Sequence, residues 1–232
     1  MNGYGASAIA VLCFMGNDMA GRITALEPQK RARDRVNVFL DGEFAFGVAD
    51  VVAATLKPGA WLSDEAILEL KAADGLEKAH SRALDYLSYR PRSEAELRKY
   101  LADKGVTEEV VEVIVTRLVD VGLVDDVAFA RYWRDSRARF RPRGRQVLRY
   151  EMGQKGIDSE AIEEALDEYD EVAAARLAAE EQIRRLGNLP PDEARRRLIG
   201  RLARRGFSYE LIQETLATQG FPQLMDDNSE ED

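Results

Sequence analysis

The chain has 232 residues, of which 45% are hydrophobic and 32% charged, and its formal net charge at pH 7 is −9. That length is enough for one large or two modest domains with hydrophobic cores, and the composition is typical of a globular protein. A single cysteine, Cys13, excludes an intramolecular disulfide, and a single histidine, His80, leaves no His/Cys set for zinc. We therefore expect no metal or other cofactor, and a reducing, cytoplasmic setting.

Residues 1–21 precede the first segment with a recognisable pattern. An apolar run from Ala6 to Met15 is too short to span a bilayer, and no basic residue precedes it as in a secretion signal. We interpret 1–21 as a disordered leader, or as the result of a start codon placed too far upstream, with Met19 as the functional start. No membrane contact is expected.

Residues 22–75 are predicted to form a small β-rich segment followed by a helix. Two β-rich runs are joined by Asp41–Gly42, and Asp-Gly between such runs is the strongest short hairpin signal. Residues 22–48 should therefore be a small antiparallel sheet, which must pack on other elements because few strands bury too little surface. Ser63-Asp64-Glu65 predicts the start of a helix of roughly ten residues, and Ala73-Asp74-Gly75 its end.

The rest of the chain repeats itself. Three glycines stand 51 and 50 residues apart, each preceded by a cation and followed by one apolar residue and a helix N-cap residue: Gly105, Gly156 and Gly206. The N-cap residues are Thr107, Asp158 and Ser208. Glycine at such a position takes the left-handed conformation that ends a helix. One helix is thus predicted to end and another to begin at each glycine.

Apolar residues recur at i and i+4 on both sides of each glycine, and a further helix is predicted ahead of each pair, near 77–89, 126–139 and 172–186. Three-helix units of about 50 residues must bury their faces on their neighbours. The predicted repeats cover 76–124, 125–170 and 171–220, followed by a disordered acidic tail at 221–232. The predicted fold is mainly α: three tandem three-helix repeats after a small antiparallel β segment and one helix.

These residues also carry a family resemblance. Two segments that begin Arg-Pro-Arg, at Arg90 and Arg141, and the stretch GLVDDVAFARYWRDSR from Gly122 resemble the RecX family of bacterial recombinase regulators. The resemblance covers 79–220 and is most specific in 122–157, at Asp125, Asp126, Phe129, Ala130, Trp133, Arg137, Arg143, Gly144 and Lys155-Gly156-Ile157. The third repeat keeps its glycine but lacks Arg-Pro-Arg. The β-rich front resembles an extension found in some members.

The resemblance implies a regulator, not an enzyme, that lodges in the helical groove of the RecA recombinase filament on single-stranded DNA. It would inhibit the ATPase, strand-exchange and co-protease activities of RecA, and we expect it to act as a monomer. Leader and acidic tail have no family counterpart.

Arginine density points independently to an anionic partner. Eight arginines fall within nineteen residues, opposed only by Asp135: Arg131, Arg134, Arg137, Arg139, Arg141, Arg143, Arg145 and Arg149. Guanidinium groups bind carboxylates and phosphates, so an array with basic ridges suits a long, repeating anionic partner. The cations predicted to bind the filament or DNA are Arg98, Lys104, Arg134, Arg137, Arg139, Arg141, Arg143, Arg145, Arg149, Lys155, Arg196, Arg197, Arg201, Arg204 and Arg205.

Other interpretations of the same residues stay open. Charge runs on helices are usually solvated faces, and this run can be read as such or as a binding ridge. Phe129 and Trp133, four residues apart, favour a core role over base stacking. Asp125 and Asp126 stand where a helix begins, which indicates caps rather than a catalytic pair.

Three classes of function compete at this stage. The chain could be a regulatory binder of a recombinase filament, or a helical-repeat protein that binds single- or double-stranded DNA directly and competes for it. The third class, an enzyme, is disfavoured because the usual nucleophile, metal and cofactor motifs are missing from the sequence.

Overall fold

The computed structural model describes residues 19–30, 32, 34–186 and 189–220. The predicted tail at 221–232 and all but the last residues of the predicted leader therefore lie outside the described residues. Two compact units divide the chain, residues 1–80 and 81–232. In the part that the structure describes, no helix is both long enough and apolar enough to cross a membrane.

The first unit contains four strands: β1 (Gly21–Pro28), β2 (Arg35–Leu40), β3 (Glu43–Ala49) and β4 (Trp61–Leu62). They form one antiparallel sheet in the order β3, β2, β1, β4. Asp41 and Gly42 join β2 to β3 with φ of 49° and 92°, as a two-residue hairpin turn requires, so the predicted hairpin is confirmed. Strand β4 was not predicted, because two residues are too few to show a strand pattern.

Two helices complete this unit, α1 (Asp50–Ala53) and α2 (Asp64–Ser88), the last turns of which, from Ser81, belong to the second unit. Helix α2 begins where the sequence predicts, and the Ser63 hydroxyl accepts a bond from the Ala66 amide at 3.2 Å. Ile67 of α2 is buried in one cluster with Val38 and Val48 of the sheet. The sheet therefore gains a core from the helix, as expected of so few strands.

Helix α2 does not end at Gly75, so the predicted stop at 73–75 was wrong. One glycine inside a helix costs about 1 kcal/mol, which tertiary contacts readily offset. Here the carboxylate of buried Asp74 accepts the Ala49 amide at 2.8 Å, the Arg35 guanidinium at 3.0 Å and the Lys78 ammonium at 2.7 Å. Burial alone would raise the pKa of Asp74, but these bonds outweigh burial and lower it. Asp74 thus fixes α2 to the sheet.

The second unit is helical, and no strand occurs in its described residues. After the end of α2 it contains α3 (Glu94–Asp103), α4 (Glu108–Asp120), α5 (Asp126–Phe140), α6 (Arg145–Gly153), α7 (Ser159–Asp167), α8 (Glu171–Leu186), α9 (Pro191–Ala203) and α10 (Tyr209–Thr218). Gly105, Gly156 and Gly206 have φ of 76°, 77° and 85°. The predicted three-helix repeats, each with a left-handed glycine between its second and third helices, are confirmed. We call Gly105, Gly156 and Gly206, with the helix ends that flank them, the first, second and third glycine joints.

Most predicted caps are also confirmed. Asp158 accepts from the Ala161 amide at 2.8 Å and Ser208 from the Leu211 amide at 3.2 Å. Thr107 stands at the N-cap of α4, but its side chain makes no capping bond to that helix. Phe129, Leu148 and Leu198 belong to one buried cluster that runs through the second and third repeats. The second and third repeats therefore share one core.

Candidate functional site

Most of the predicted binding cations in the second repeat contact acceptors of their own chain. Arg149 donates two bonds to Glu163, at 2.6 and 2.8 Å, and Arg137 donates to Glu151 at 2.6 Å. Arg143 lies 4.0 Å from Glu151. Arg134, with a side chain only 11% exposed, donates to the Ala165 carbonyl at 2.7 Å, and Arg145 to the Tyr169 carbonyl at 2.7 Å. These guanidinium groups therefore stabilise the repeat itself.

One of these ion pairs recurs at the period of the repeat. Arg98 of α3 bonds Glu112 of α4 at 2.6 Å, and Arg149 of α6 bonds Glu163 of α7 across the next glycine joint. Both pairs are 14 residues apart, and their arginines are 51 residues apart. Hydrogen bonds from the arginines lower the pKa of both glutamates. Exposed pairs of this kind contribute little stability each, but they neutralise charge on the surface.

In the third repeat, three of the predicted cations also have partners. Arg197 bonds Glu193 one turn away at 2.5 Å, Arg205 bonds Glu181 at 2.9 Å, and Arg201 donates to Gln182 at 2.7 Å. Arg98 of the first repeat is held between Glu94 and Glu112. The arginine clusters are thus mixtures of paired and unpaired groups.

Five predicted cations are exposed and have no carboxylate partner among the described residues: Lys104, Arg139, Arg141, Arg196 and Arg204. Lys104 lies 5.6 Å from the centroid of the Tyr100 ring and Arg139 lies 5.2 Å from that of Phe140. Arg139 and Arg141 flank the C-terminal end of α5, whereas Arg196 and Arg204 belong to α9 and its C-cap. We call these five residues the unpaired cations.

Exposed aromatic side chains accompany the Arg-Pro-Arg segments. Tyr89 is 82% exposed and Phe140 is 71% exposed. They stand 51 residues apart, each directly before Arg-Pro-Arg. This pair was not predicted from the sequence, although both rings precede Arg-Pro-Arg at the period of the repeat. Apolar rings exposed at equivalent positions of two repeats are available for contact with a partner.

Trp133 is a packed residue, as its spacing from Phe129 predicted. The two rings lie 6.0 Å apart, and Phe129 is buried. The indole donates to Glu151 at 2.9 Å, while Arg137 and Lys155 lie 4.5 and 5.1 Å from the ring centroid. Trp133 therefore connects α5 to α6 and to the second glycine joint.

The first and second repeats meet where the N-terminus of α3 docks on the second glycine joint. The Ser93 hydroxyl, at the N-cap of α3, donates to the Lys155 carbonyl at 2.7 Å. Asp126 accepts the Glu94 amide at 2.8 Å, and Lys155 bonds Glu96 at 2.6 Å. A Cβ atom on Gly156 would lie 2.3 Å from the Ala95 Cβ, so the joint must be glycine here.

The second and third repeats meet in the same way. Gly144, at the N-cap of α6, donates its amide to the Arg205 carbonyl at 2.8 Å, and Glu171 accepts the Arg145 amide at 2.8 Å. A Cβ atom on Gly206 would lie 2.4 Å from a methyl carbon of Val147. In both interfaces, a carboxylate from the first residue of the next repeat's first helix accepts an amide that the docked helix leaves unpaired. We call each of these contacts a latch.

The latches correct one prediction and set two pKa values. Asp125 caps its own helix by accepting the Ala128 amide at 2.9 Å, as predicted, whereas Asp126 accepts from α3 of the preceding repeat instead. Burial raises the pKa of Asp126. Burial would also raise the pKa of Glu96, but bonds from Arg90 and Lys155 outweigh it, so the pKa is lowered.

Groups of three or more acidic, histidine or cysteine side chains that could hold a metal do not occur among the described residues. The partly buried carboxylates are instead used in the latches and ion pairs described above.

Four family models together match most of the described chain. The RecX N-terminal domain model matches residues 21–62, and the models of the first, second and third RecX three-helix domains match residues 79–118, 125–166 and 168–216. The regulatory protein RecX of Bacillus licheniformis is 36% identical over 84% of this chain and 76% of its own length. That of Limosilactobacillus reuteri is 35% identical over 89% and 80%.

Solved structures agree with these matches. A crystal structure of regulatory protein RecX has a TM-score of 0.69 and 32% identity, and covers 84% of this chain and 98% of its own. RecX from Lactobacillus salivarius has a TM-score of 0.56 and 26% identity, with 64% and 97% covered. The RecX models match the β-rich front and the three repeats in their order along the chain, and this chain therefore belongs to the RecX family of regulatory proteins.

Proposed function

We propose that this protein binds the RecA filament on single-stranded DNA, along its helical groove, and inhibits its ATPase, strand-exchange and co-protease activities. The observation that carries the proposal is the regular array of repeats, joined by equivalent latches, with unpaired cations on successive repeats. Arrays of this kind present an extended surface whose contacts recur at a fixed spacing. A nucleoprotein filament offers equivalent subunits at a fixed spacing in return.

Charge pairing favours a protein surface over bare DNA as the main partner. A DNA-binding surface gains affinity from each phosphate that a cation neutralises. Here most of the predicted binding cations already contact acceptors of their own chain, and five of them are unpaired among the described residues. A partner that presents a few carboxylates and apolar pockets is better matched to this mixture of cations and exposed rings.

Direct binding of nucleic acid is the second candidate, and one observation favours it. Exposed Phe140 lies between Arg139 and Arg141, an arrangement that suits stacking on an unpaired base with phosphates on either side. In that case the protein would inhibit the recombinase by competing for single-stranded DNA. The two candidates differ in whether the recombinase remains on the DNA while its activity is inhibited.

The test is the ATPase activity of the recombinase from the same organism on single-stranded DNA, with DNA occupancy followed in parallel by fluorescence of labelled DNA. We expect inhibition at substoichiometric protein while the recombinase still covers the DNA at early times. Binding of the protein to DNA alone should be weak and should fall steeply with salt. Inhibition that appears only as the recombinase leaves the DNA in proportion to bound protein would favour competition. No inhibition at equimolar protein would refute both candidates.

A further inference from the structure

The three glycine joints have the same left-handed backbone conformation. Among the described residues, a helix from the preceding repeat packs on only two of them. Ala95 packs on Gly156 and Val147 packs on Gly206, in each case from the first turn of a helix in the preceding repeat. In each case the carbonyl just before the glycine accepts a bond from the N-cap residue of that helix. A glycine joint of this chain is therefore a seat for the N-terminus of a helix.

Nothing in the described part of the chain packs on the first joint. A Cβ atom on Gly105 would have no described heavy atom within 4 Å, although its φ of 76° matches the 77° of Gly156. No described residue donates a hydrogen bond to the Lys104 carbonyl. The equivalent carbonyls at the other two joints, those of Lys155 and Arg205, each accept one. Val106, which follows the glycine, is only partly buried, whereas its counterparts Ile157 and Phe207 are buried.

We propose that the Gly105 joint docks the N-terminus of a helix from the recombinase subunit that the array contacts. The inference rests on the proposed function and continues the interface that the other two joints establish. The chemistry of the incoming helix follows from the first latch, which is the nearer one along the chain. Ser93 supplies a hydroxyl at the N-cap, Ala95 a small side chain at the second position and Glu96 a carboxylate at the third.

Lys104 would take the part that Lys155 plays in the first latch. Lys155 bonds Glu96 of the docked helix at 2.6 Å, and Lys104 stands at the same place before the glycine with no carboxylate partner among the described residues. The helix that fits this seat therefore has serine or threonine at its N-cap, a small residue at its second helical position and glutamate or aspartate at its third. Such a helix also caps itself, because its acid is near the positive end of its dipole.

A second copy of this chain is a poor match for the seat. Head-to-tail assembly would dock α9 of one copy on Gly105 of another. In the two latches the donors are the N-cap residue and the backbone amide of the next residue, but in α9 these positions are Pro190 and Pro191. Proline has no N–H, so α9 lacks both amide donors and the N-cap hydroxyl. The series of docked helices thus ends at the third repeat.

The test is a pair of matched substitutions, Gly105→Asn and Gly122→Asn. Both glycines have positive φ, 76° and 71°, and free space at Cβ, and asparagine tolerates this conformation, so the strain is equal in the two variants. A side chain on Gly105 would occupy the seat. We expect Gly105→Asn to raise the concentration for half-inhibition of the recombinase ATPase by about tenfold or more, and Gly122→Asn to leave it unchanged.

A photocrosslinking residue at Lys104 gives a readout that does not depend on stability, with the exposed Asp120 as the control position. Mixed with the recombinase on single-stranded DNA, the Lys104 probe should form a product that maps to the first turn of a recombinase helix. A product elsewhere, a product with a second copy, or none would overturn the seat, as would equal inhibition by the two asparagine variants. If wild-type protein does not inhibit at all, the proposed function fails instead.

Discussion

The two latches use the same two backbone groups, the carbonyl before the glycine and the first amide of the docked helix, and differ in the side chains around them. In the first, Glu96 carries a charge that bonds both Arg90 and Lys155. In the second, the residue 51 positions after Glu96 is Val147, which packs on Gly206. A shared backbone geometry thus supports an ionic contact at this position in one latch and an apolar contact in the other. The contact of Glu96 should respond to pH and salt, and the contact of Val147 should not.

The two latches differ most at the N-cap residue of the docked helix, which is Ser93 in the first and Gly144 in the second. Exchanging these two residue types should have the largest effect on stability. A Cβ atom on Gly144 would lie 1.9 Å from the Gly206 carbonyl oxygen, so Gly144→Ser cannot fit without moving backbone. We expect a loss of about 3 kcal/mol or more in the free energy of unfolding, measured by urea denaturation. The reciprocal Ser93→Gly should cost less, about 1 to 2 kcal/mol, for the two lost hydrogen bonds of the hydroxyl with the Lys155 carbonyl and the Glu96 amide. Equal costs would contradict the assigned latches.

The occupied and open glycine joints can be compared with one substitution. Gly156→Val should add a clash with Ala95, 2.3 Å from the new Cβ, to the strain of a β-branched residue at positive φ. Gly105→Val should carry the strain alone, about 1 to 2 kcal/mol. Thermal unfolding should therefore show a larger loss of stability for Gly156→Val than for Gly105→Val, by about 1 kcal/mol in the free energy of unfolding. Similar midpoints for the two variants would show that the first joint is also packed.

The ionic latch should be weakened by acid. The folded-state pKa of Glu96 lies below its ordinary value of 4.5, so its stabilisation is complete above that value and is lost as the pH falls through the folded pKa. Glu96→Gln should lower the free energy of unfolding by about 1 to 2 kcal/mol at pH 7. Below about pH 4 the difference from wild type should shrink. An isosteric control in the second latch, Val147→Thr, should show no such pH dependence.

Substituting the unpaired cations should have the smallest effect on stability and a clear effect on inhibition of the recombinase. Replacing Arg139 and Arg141 with glutamate should change the free energy of unfolding by no more than about 0.5 kcal/mol for each, because both are exposed. It should weaken inhibition of the recombinase, and less so at high salt. Arg149→Glu is the contrasting variant, because it repels Glu163 and should lower the melting temperature. Full inhibition by the Arg139/Arg141 variant would remove these residues from the contact surface.

Local signals made much of the fold predictable. Positive φ at the repeat glycines, the caps at Asp158 and Ser208, and the Asp41–Gly42 turn each depend on a few adjacent residues, and the structure confirms all of them. The predicted end of α2 at Gly75 failed because a local helix breaker was overruled by the buried contacts of Asp74. Propensity is a weak prior where tertiary contacts are strong.

The candidate site was less predictable than the fold. Sequence density identified the arginines, but several of their acid partners lie 14 or more residues away on another helix, as with Arg137 of α5 and Glu151 of α6. The role of the cluster in binding stays a prediction. The repeat contained an unused signal, since Arg98 with Glu112 and Arg149 with Glu163 occur at one spacing in two successive repeats.

Sequence alone determined the number of repeats, their glycine joints and their family, because these follow from periodicity and from the backbone needs of a few residue types. Tertiary structure decided which charges are free and which joint is open. A guanidinium group binds an internal carboxylate and an external one by the same chemistry, and only the distance to the nearest acid separates the two cases. Likewise Gly105 and Gly156 have the same local conformation, and only the packing of Ala95 distinguishes them.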